Sequence, residues 1–166
     1  MRLEGAINVS ILEQTLKGIV SRHEVLRSLL LSEEGISYQE VISSENWCLD
    51  HLSITDETKL NSSLEKYLLL PFNLSTDYKL RSRVYSLGNN QYVLASVFHH
   101  IGSDGWSRGI LINEFMELYS AFQSNRIPDL PVLSLQYADY AIWQRKYLEG
   151  TILENQLSYW EEKLQG

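Results

Sequence analysis

With a single cysteine, Cys48, in 166 residues, the chain can form no intrachain disulfide and no cysteine-rich metal site. That scarcity fits a reducing compartment, and a cytoplasmic location is expected. Long apolar runs are missing too. Stretches such as Leu29-Leu30-Leu31 and Leu68-Leu69-Leu70 stop far short of the roughly 18 residues that a membrane span needs. The opening MRLEGAINVS has no signal-peptide core. Basic residues are outnumbered, 14 Lys plus Arg against 21 Asp plus Glu, and the net charge of -7 repels phosphate backbones and anionic membranes. Neither nucleic acid nor membrane is an expected partner. No phosphate-cradling glycine loop occurs, so nothing supports ATP or nicotinamide binding. What is present is the composition of a folded domain: 44% hydrophobic and 11% aromatic residues, with nine glycines and three prolines. One domain is the natural count.

Hydrophobic periodicity divides the chain into elements. Val9, Leu12, Leu16, Ile19 and Val20 recur at spacings of three and four behind Asn8, a candidate N-cap, which predicts a helix over about 10–23 lying on a sheet. Leu26 to Ser32 and Ile36 to Ile42 are β-rich stretches joined by a turn at Glu33-Glu34-Gly35, and a third short strand is expected around Trp47 to Leu52. Leu60, Leu64, Tyr67 and Leu68 predict a helix that Pro71 ends. Leu80 to Leu87 and Tyr92 to Phe98 read as a hairpin around Gly88-Asn89-Asn90, with its second strand buried on both sides. A long helix over 105–123 is expected from the stripe Ile110, Leu111, Phe115, Leu118, Tyr119 and Phe122, whose ordinary meaning is packing. Beyond Pro128 and Pro131, two amphipathic helices are expected, broken near Gly150.

The buried strand runs straight into His99-His100-Ile101-Gly102-Ser103-Asp104-Gly105, and the long helix starts where this loop ends. At such a junction a histidine is held by strand backbone while the helix N-terminus offers unpaired N–H groups to a developing oxyanion, an arrangement suited to acyl transfer. Neutral imidazole can take a proton from an amine or hydroxyl nucleophile, or position one, near neutral pH. Asp104 can accept from an imidazole or an arginine, and Gly105 lets a bulky substrate approach the backbone. At average composition these residues in this frame would arise in roughly one chain of this length in several thousand. A metal site is not expected: on a strand His99 and His100 point to opposite faces, and only His23 and His51 remain as further histidines.

HHIGSDG resembles HHxxxDG, the signature of the condensation domains of nonribosomal peptide synthetases. RHEVLR at Arg22 to Arg27 is similar to the family's RHExLR, and YADYAIWQ at Tyr137 to Gln144 to its YxDYAxW. PFNLSTDYKLRSRV resembles PFDLxxxPLLR, and LSYWEEKLQG resembles the LxYWxxxL run that closes the N-terminal lobe. The resemblance implies an α/β fold, one chloramphenicol acetyltransferase-like lobe with a mixed β-sheet covered by helices. It implies that residues 1–166 are the N-terminal lobe of a condensation domain, lacking the first motif and first strand region and the whole C-terminal lobe. The implied activity is peptide-bond formation between aminoacyl or peptidyl thioesters carried on phosphopantetheine arms, with no cofactor bound directly. The implied partners are donor and acceptor peptidyl carrier domains and the second lobe or adjacent synthetase domains. His100 is the implied catalytic residue, orienting or deprotonating the attacking amine. His99 is implied to be structural, and Asp104 to form a salt bridge with an arginine, first of all Arg27, then Arg22 or Arg81. Gly105, Trp106 and Ser107 would line the substrate tunnel.

The chain departs from the family pattern at Asn73, where the family favours Asp, and at Tyr78-Lys79, which replaces Pro-Leu. Two other readings stay open. One is a noncatalytic fragment that docks carrier domains. The other is a related acyltransferase with a free amine or alcohol acceptor, since His99 and Asp104 also satisfy an HxxxxD spacing. HHxxxDG in place of DxxxxD argues against a heterocyclising member. For a lone lobe, an uncovered apolar face predicts self-association.

Overall fold

The computed structural model describes residues 1–54 and 56–165. It divides into two compact units, Met1–Val132 and the residues from Leu133 onward. The first unit is built on a four-stranded mixed sheet. Its strands are β1 (Arg2–Glu4), β4 (Asp50–Ser53), β5 (Leu80–Gly88) and β6 (Gln91–Phe98), in the order β1-β6-β5-β4. β5 and β6 pair antiparallel from Leu80↔Phe98 to Gly88↔Gln91, while β4 lies parallel to β5 from Asp50↔Arg83 to Ser53↔Ser86. The hairpin turn rests on Asn89 and Asn90, both at positive φ (49° and 58°), which asparagine tolerates better than other side chains. A second hairpin, β2 (Ser28–Glu33) with β3 (Ile36–Val41), turns through Glu34 and Gly35, again both at positive φ.

Helices cover both faces of the central hairpin. α1 (Val9–Arg22), capped by the Asn8 side chain on the amides of Ser10 and Ile11, buries Leu12, Leu16 and Val20 against Leu80, Val84 and Leu94. α2 (Glu57–Leu69) buries Leu60 and Tyr67 against Tyr85, Val93 and Ala95 on the opposite face. Those opposed contacts explain the near-continuous apolar run in the middle of β6, although the strand's ends are half-buried and Ser96 is exposed. α3 (Gly105–Gln123) packs Leu118 and Leu111 with Ile19 of α1 and Leu26.

Four expectations are corrected. Leu26 belongs to a 3-10 turn, Glu24–Arg27, and β2 begins only at Ser28. Trp47 is a core residue ahead of β4, its indole N–H donating to the Leu80 carbonyl at 2.8 Å. The sheet also gains an edge strand that periodicity did not show: Arg2–Glu4 pair with Gln91–Val93, three residues being too few to display an alternating pattern. In α3, Ile110 leaves the packed stripe and is 55% exposed, because it projects from the same side as Trp106.

The second unit holds α4 (Tyr137–Tyr147) and α5 (Gly150–Leu164), broken at Leu148-Glu149 just before Gly150. Asp139 accepts the Gln136 amide at the start of α4. Tyr137, Tyr140, Trp143 and Tyr147 form a ladder of rings 5.8, 5.6 and 5.1 Å apart. Among the described residues, none of either helix is buried.

Candidate active site

β6 delivers the His99–Gly105 loop to the N-terminus of α3, and local hydrogen bonds fix its course. The His99 amide donates to the Lys79 carbonyl at 2.9 Å, extending the β5–β6 ladder by one step. The His99 carbonyl then accepts from the Gly102 amide at 3.0 Å and the Ser103 hydroxyl at 3.4 Å. Its ring meets the Phe72 ring edge-on at 5.5 Å, and Nδ1 accepts the Ile101 amide at 3.0 Å, which places the imidazole proton on Nε2. His99 is thus consumed in holding the turn. His100 is exposed and makes no hydrogen bond among the described residues, so its imidazole is uncommitted. Gly102 is where the loop passes closest to its support: an added Cβ would come 3.1 Å from the Lys79 Cβ and 3.4 Å from the Val25 carbonyl.

Asp104 is the N-cap of α3. Its carboxylate accepts the Ser107 hydroxyl at 2.6 Å and the Ser107 amide at 2.8 Å, while its own amide donates back to the Ser107 hydroxyl at 3.2 Å. Those bonds from Ser107, with a smaller contribution from the nearby His100, hold the Asp104 carboxyl below the ordinary aspartate value. The expected salt bridge is not formed: among the described residues no ion pair reaches Asp104. Arg27 instead donates to the Ile42 carbonyl at 2.8 Å and to Glu24 at 3.2 Å, tying the 3-10 turn to the end of β3. Arg22 binds Glu114 and the Pro131 carbonyl, and Arg81 binds the carbonyls of Tyr67, Leu70 and Pro71 at the end of α2. Each guanidinium is taken up within its own neighbourhood before it could reach the loop. At Gly105 an added Cβ would meet nothing within 4 Å, so the first turn of α3 is uncovered, and Trp106 beside it is 90% exposed.

Two residues of this region were given no part in the site by the sequence. Glu114 is buried on α3, where it accepts from Arg22 Nε at 2.9 Å and pairs with His23 Nε2 at 2.6 Å, so the first two residues of RHEVLR clamp α3. An acidic residue inside an otherwise apolar helical stripe was the available signal. Lys79 is likewise buried. Its ammonium donates to the carbonyls of Leu74 and Asp77 at 3.0 and 2.6 Å, and burial lowers its pKa. Its amide donates to the Leu26 carbonyl at 2.7 Å, which joins the RHEVLR turn to the strand that supports the loop.

Among the described residues, the first unit has a cleft of about 330 Å³ and another of about 110 Å³. The larger lies between Asn46–Asp50, the end of α2 and the start of β5. It contains none of the loop residues. Its wall includes Tyr67, whose hydroxyl is pushed up to about 12 by burial and by the Asp50 carboxylate. The smaller lies against the loop and is lined by His23, Val25, Leu26, Gly102, Ser107, Ile110 and Leu111. Among the described residues, no three His, Cys, Asp or Glu side chains gather closely enough to hold a metal ion, and no helix is long and apolar enough to cross a membrane.

The sequence matches the condensation-domain family over residues 1–166. It is 36% identical to a linear gramicidin synthase polypeptide of Brevibacillus parabrevis over 172 residues, covering 100% of this chain and 3% of that protein. Among solved structures, the X-domain from teicoplanin biosynthesis aligns with a TM-score of 0.90 and 28% identity, covering 99% of this chain and 37% of that one. The starter condensation domain of rhizomide synthetase shares the fold at a TM-score of 0.85 and 16% identity, covering 99% and 41%. The chain therefore spans a small part of the synthetases it matches and over a third of each solved domain. A mixed sheet with a histidine-bearing loop at a strand–helix junction, and a family match along its whole length, place this chain in the condensation-domain family.

Proposed function

We propose that the chain supplies the His100 side of a peptide-bond-forming site in nonribosomal peptide synthesis, acting in the cytoplasm on aminoacyl or peptidyl groups held as thioesters on phosphopantetheine arms of carrier domains. One observation carries this reading: in a chain of this family, the second histidine of the loop stands uncommitted at a strand end, close to an uncovered helix N-terminus. The acceptor's α-amine attacks the donor thioester carbonyl. A C–N bond forms, the C–S bond breaks, and the donor's arm leaves as a thiol. His100 hydrogen-bonds the amine and takes its proton as the tetrahedral state forms, then returns a proton to the departing sulfur. The Gly105 amide at the start of α3, which the Asp104 cap does not engage, stabilises the oxyanion. His99 and Asp104 are positioning residues, one closing the turn before His100 and the other starting the helix behind it.

A tunnel needs two walls, and one lobe leaves His100 in water, where a developing charge is stabilised less. Activity therefore requires a second lobe. The test is reconstitution: the chain is mixed with donor and acceptor aminoacyl carrier domains, with and without a separately expressed C-terminal lobe, and dipeptidyl thioester is followed by mass spectrometry. Product only when the second lobe is present is the expected result. Carrier binding without product in any combination would overturn the catalytic reading in favour of a docking fragment.

A further inference from the structure

The small cleft beside the loop has the form of a side-chain subsite. One wall is His23, Val25 and Leu26 from the segment after α1, and the other is Ser107, Ile110 and Leu111 from the first two turns of α3, with Gly102 at the junction. Its polar members are already engaged. His23 Nε2 is bonded to Glu114, and the Ser107 hydroxyl to Asp104. An occupant therefore meets chiefly the apolar surface of Val25, Leu26, Ile110 and Leu111.

The walls are held in place independently of any occupant. The Lys79 amide is bonded to Leu26 and its carbonyl to the His99 amide, so one residue braces both the RHEVLR turn and the loop. Gly102 lies so close to the Lys79 side chain and the Val25 carbonyl that an added Cβ would press on both. Pre-formed concavities of this kind discriminate by size. The volume, about 110 Å³, is smaller than the roughly 150 Å³ of an engineered cavity that admits benzene. A branched aliphatic side chain is contained, a phenyl ring projects beyond the mouth of this half-open cleft, and glycine leaves the space empty. Ser107, which lines the cleft, also bonds Asp104, so the cleft adjoins the cap of α3 at the end of the His99–Gly105 loop.

We propose that this cleft is a subsite for a branched aliphatic aminoacyl side chain, of valyl size, on the substrate presented to His100. The inference rests on the function proposed above, and its test separates the two. The chain is labelled with carbon-13 at its methyl groups and titrated with the N-acetylcysteamine thioesters of glycine, valine and phenylalanine. The valyl thioester should shift the Val25, Leu26, Ile110 and Leu111 methyls and bind at least about tenfold more tightly than the other two, the discrimination an apolar pocket achieves for a few methyl groups. Ile110→Trp, at a half-exposed position that tolerates the ring, fills the mouth and should abolish the preference. Equal affinity for the three thioesters, shifts confined to other methyls, or no shift with any of them would overturn the subsite. Valyl selectivity in a chain that supports no condensation with a second lobe would retain the cleft and reject the catalytic reading. Condensation indifferent to valyl against glycyl would reject the cleft alone.

Discussion

His99 and His100 are neighbours in the chain with opposite commitments. The Ile101 amide, the Lys79 carbonyl and the Phe72 ring leave His99 no freedom, whereas His100 is exposed and bonds none of the described residues. Asp104 carries a second consequence at this scale. Its pKa in the folded chain is depressed below 3.8 by the Ser107 bonds, so the cap's contribution is fully present above the unfolded value and is lost as pH falls through the folded one. Carboxyl carbon-13 NMR should therefore find Asp104 titrating below 3.8, with protection of the Ser107 amide lost in the same acidic window. Titration at or above that value would mean the cap is not formed in solution. Glu114 carries a stability effect at the same scale. Glu114→Ala leaves the Arg22 guanidinium half of a buried pair, and urea unfolding should show a loss of about 3 kcal/mol, toward the lower end for such breaks because Arg22 keeps some solvent contact. A loss below about 1 kcal/mol would show that the clamp contributes no more than an ordinary surface pair.

At the scale of elements, β5 and β6 form the frame on which both the loop and the larger cleft are built. Leu80, fully buried where β5 leaves the Lys79 support, is the residue through which α1, Trp47 and the strand meet. Leu80→Ala should cost about 3 kcal/mol in urea unfolding by opening a cavity that rigid neighbours cannot collapse, and a cost under about 1 kcal/mol would mean that this core repacks freely. The elements were legible because their signals are local. Asn8 caps α1, the Asn89-Asn90 pair turns the hairpin, and Pro71 stops α2, each by its own backbone chemistry. The strand at Arg2–Glu4 was illegible because it exists only through pairing with β6. For the same reason the arginine assigned to Asp104 was misplaced: sequence order shows that Arg27, Arg22 and Arg81 are near the right motifs, but not that Ile42, Glu114 and the end of α2 claim them first. The HHIGSDG loop was readable as a site from residue type and frame. The Lys79 brace beneath it was not, since a lysine just ahead of a strand ordinarily points to water.

For the whole molecule, α3 is the element that most needs company. Leu111, Phe115, Leu118 and Phe122 pack inward, yet Ile110, Ile112, Met116 and Trp106 stand exposed on its other side. A helix apolar on both sides is normally covered on both. Light scattering of the isolated chain should show concentration-dependent association, reduced by Met116→Lys with Ile112→Glu, and a clean monomer at high concentration would contradict it. The family match and the fold are shared with an X-domain and a starter condensation domain, and in this chain an uncommitted imidazole stands at the end of β6. The most direct test of the proposed function is the rate of dipeptidyl thioester formation in a single turnover, measured on the chain mixed with a separately expressed C-terminal lobe and loaded carriers, for the native sequence and for His100→Ala. A loss of about a hundredfold or more, with carrier binding and melting temperature unchanged, is the predicted result. An unaltered rate in the variant would contradict the assignment of His100 and the mechanism built on it.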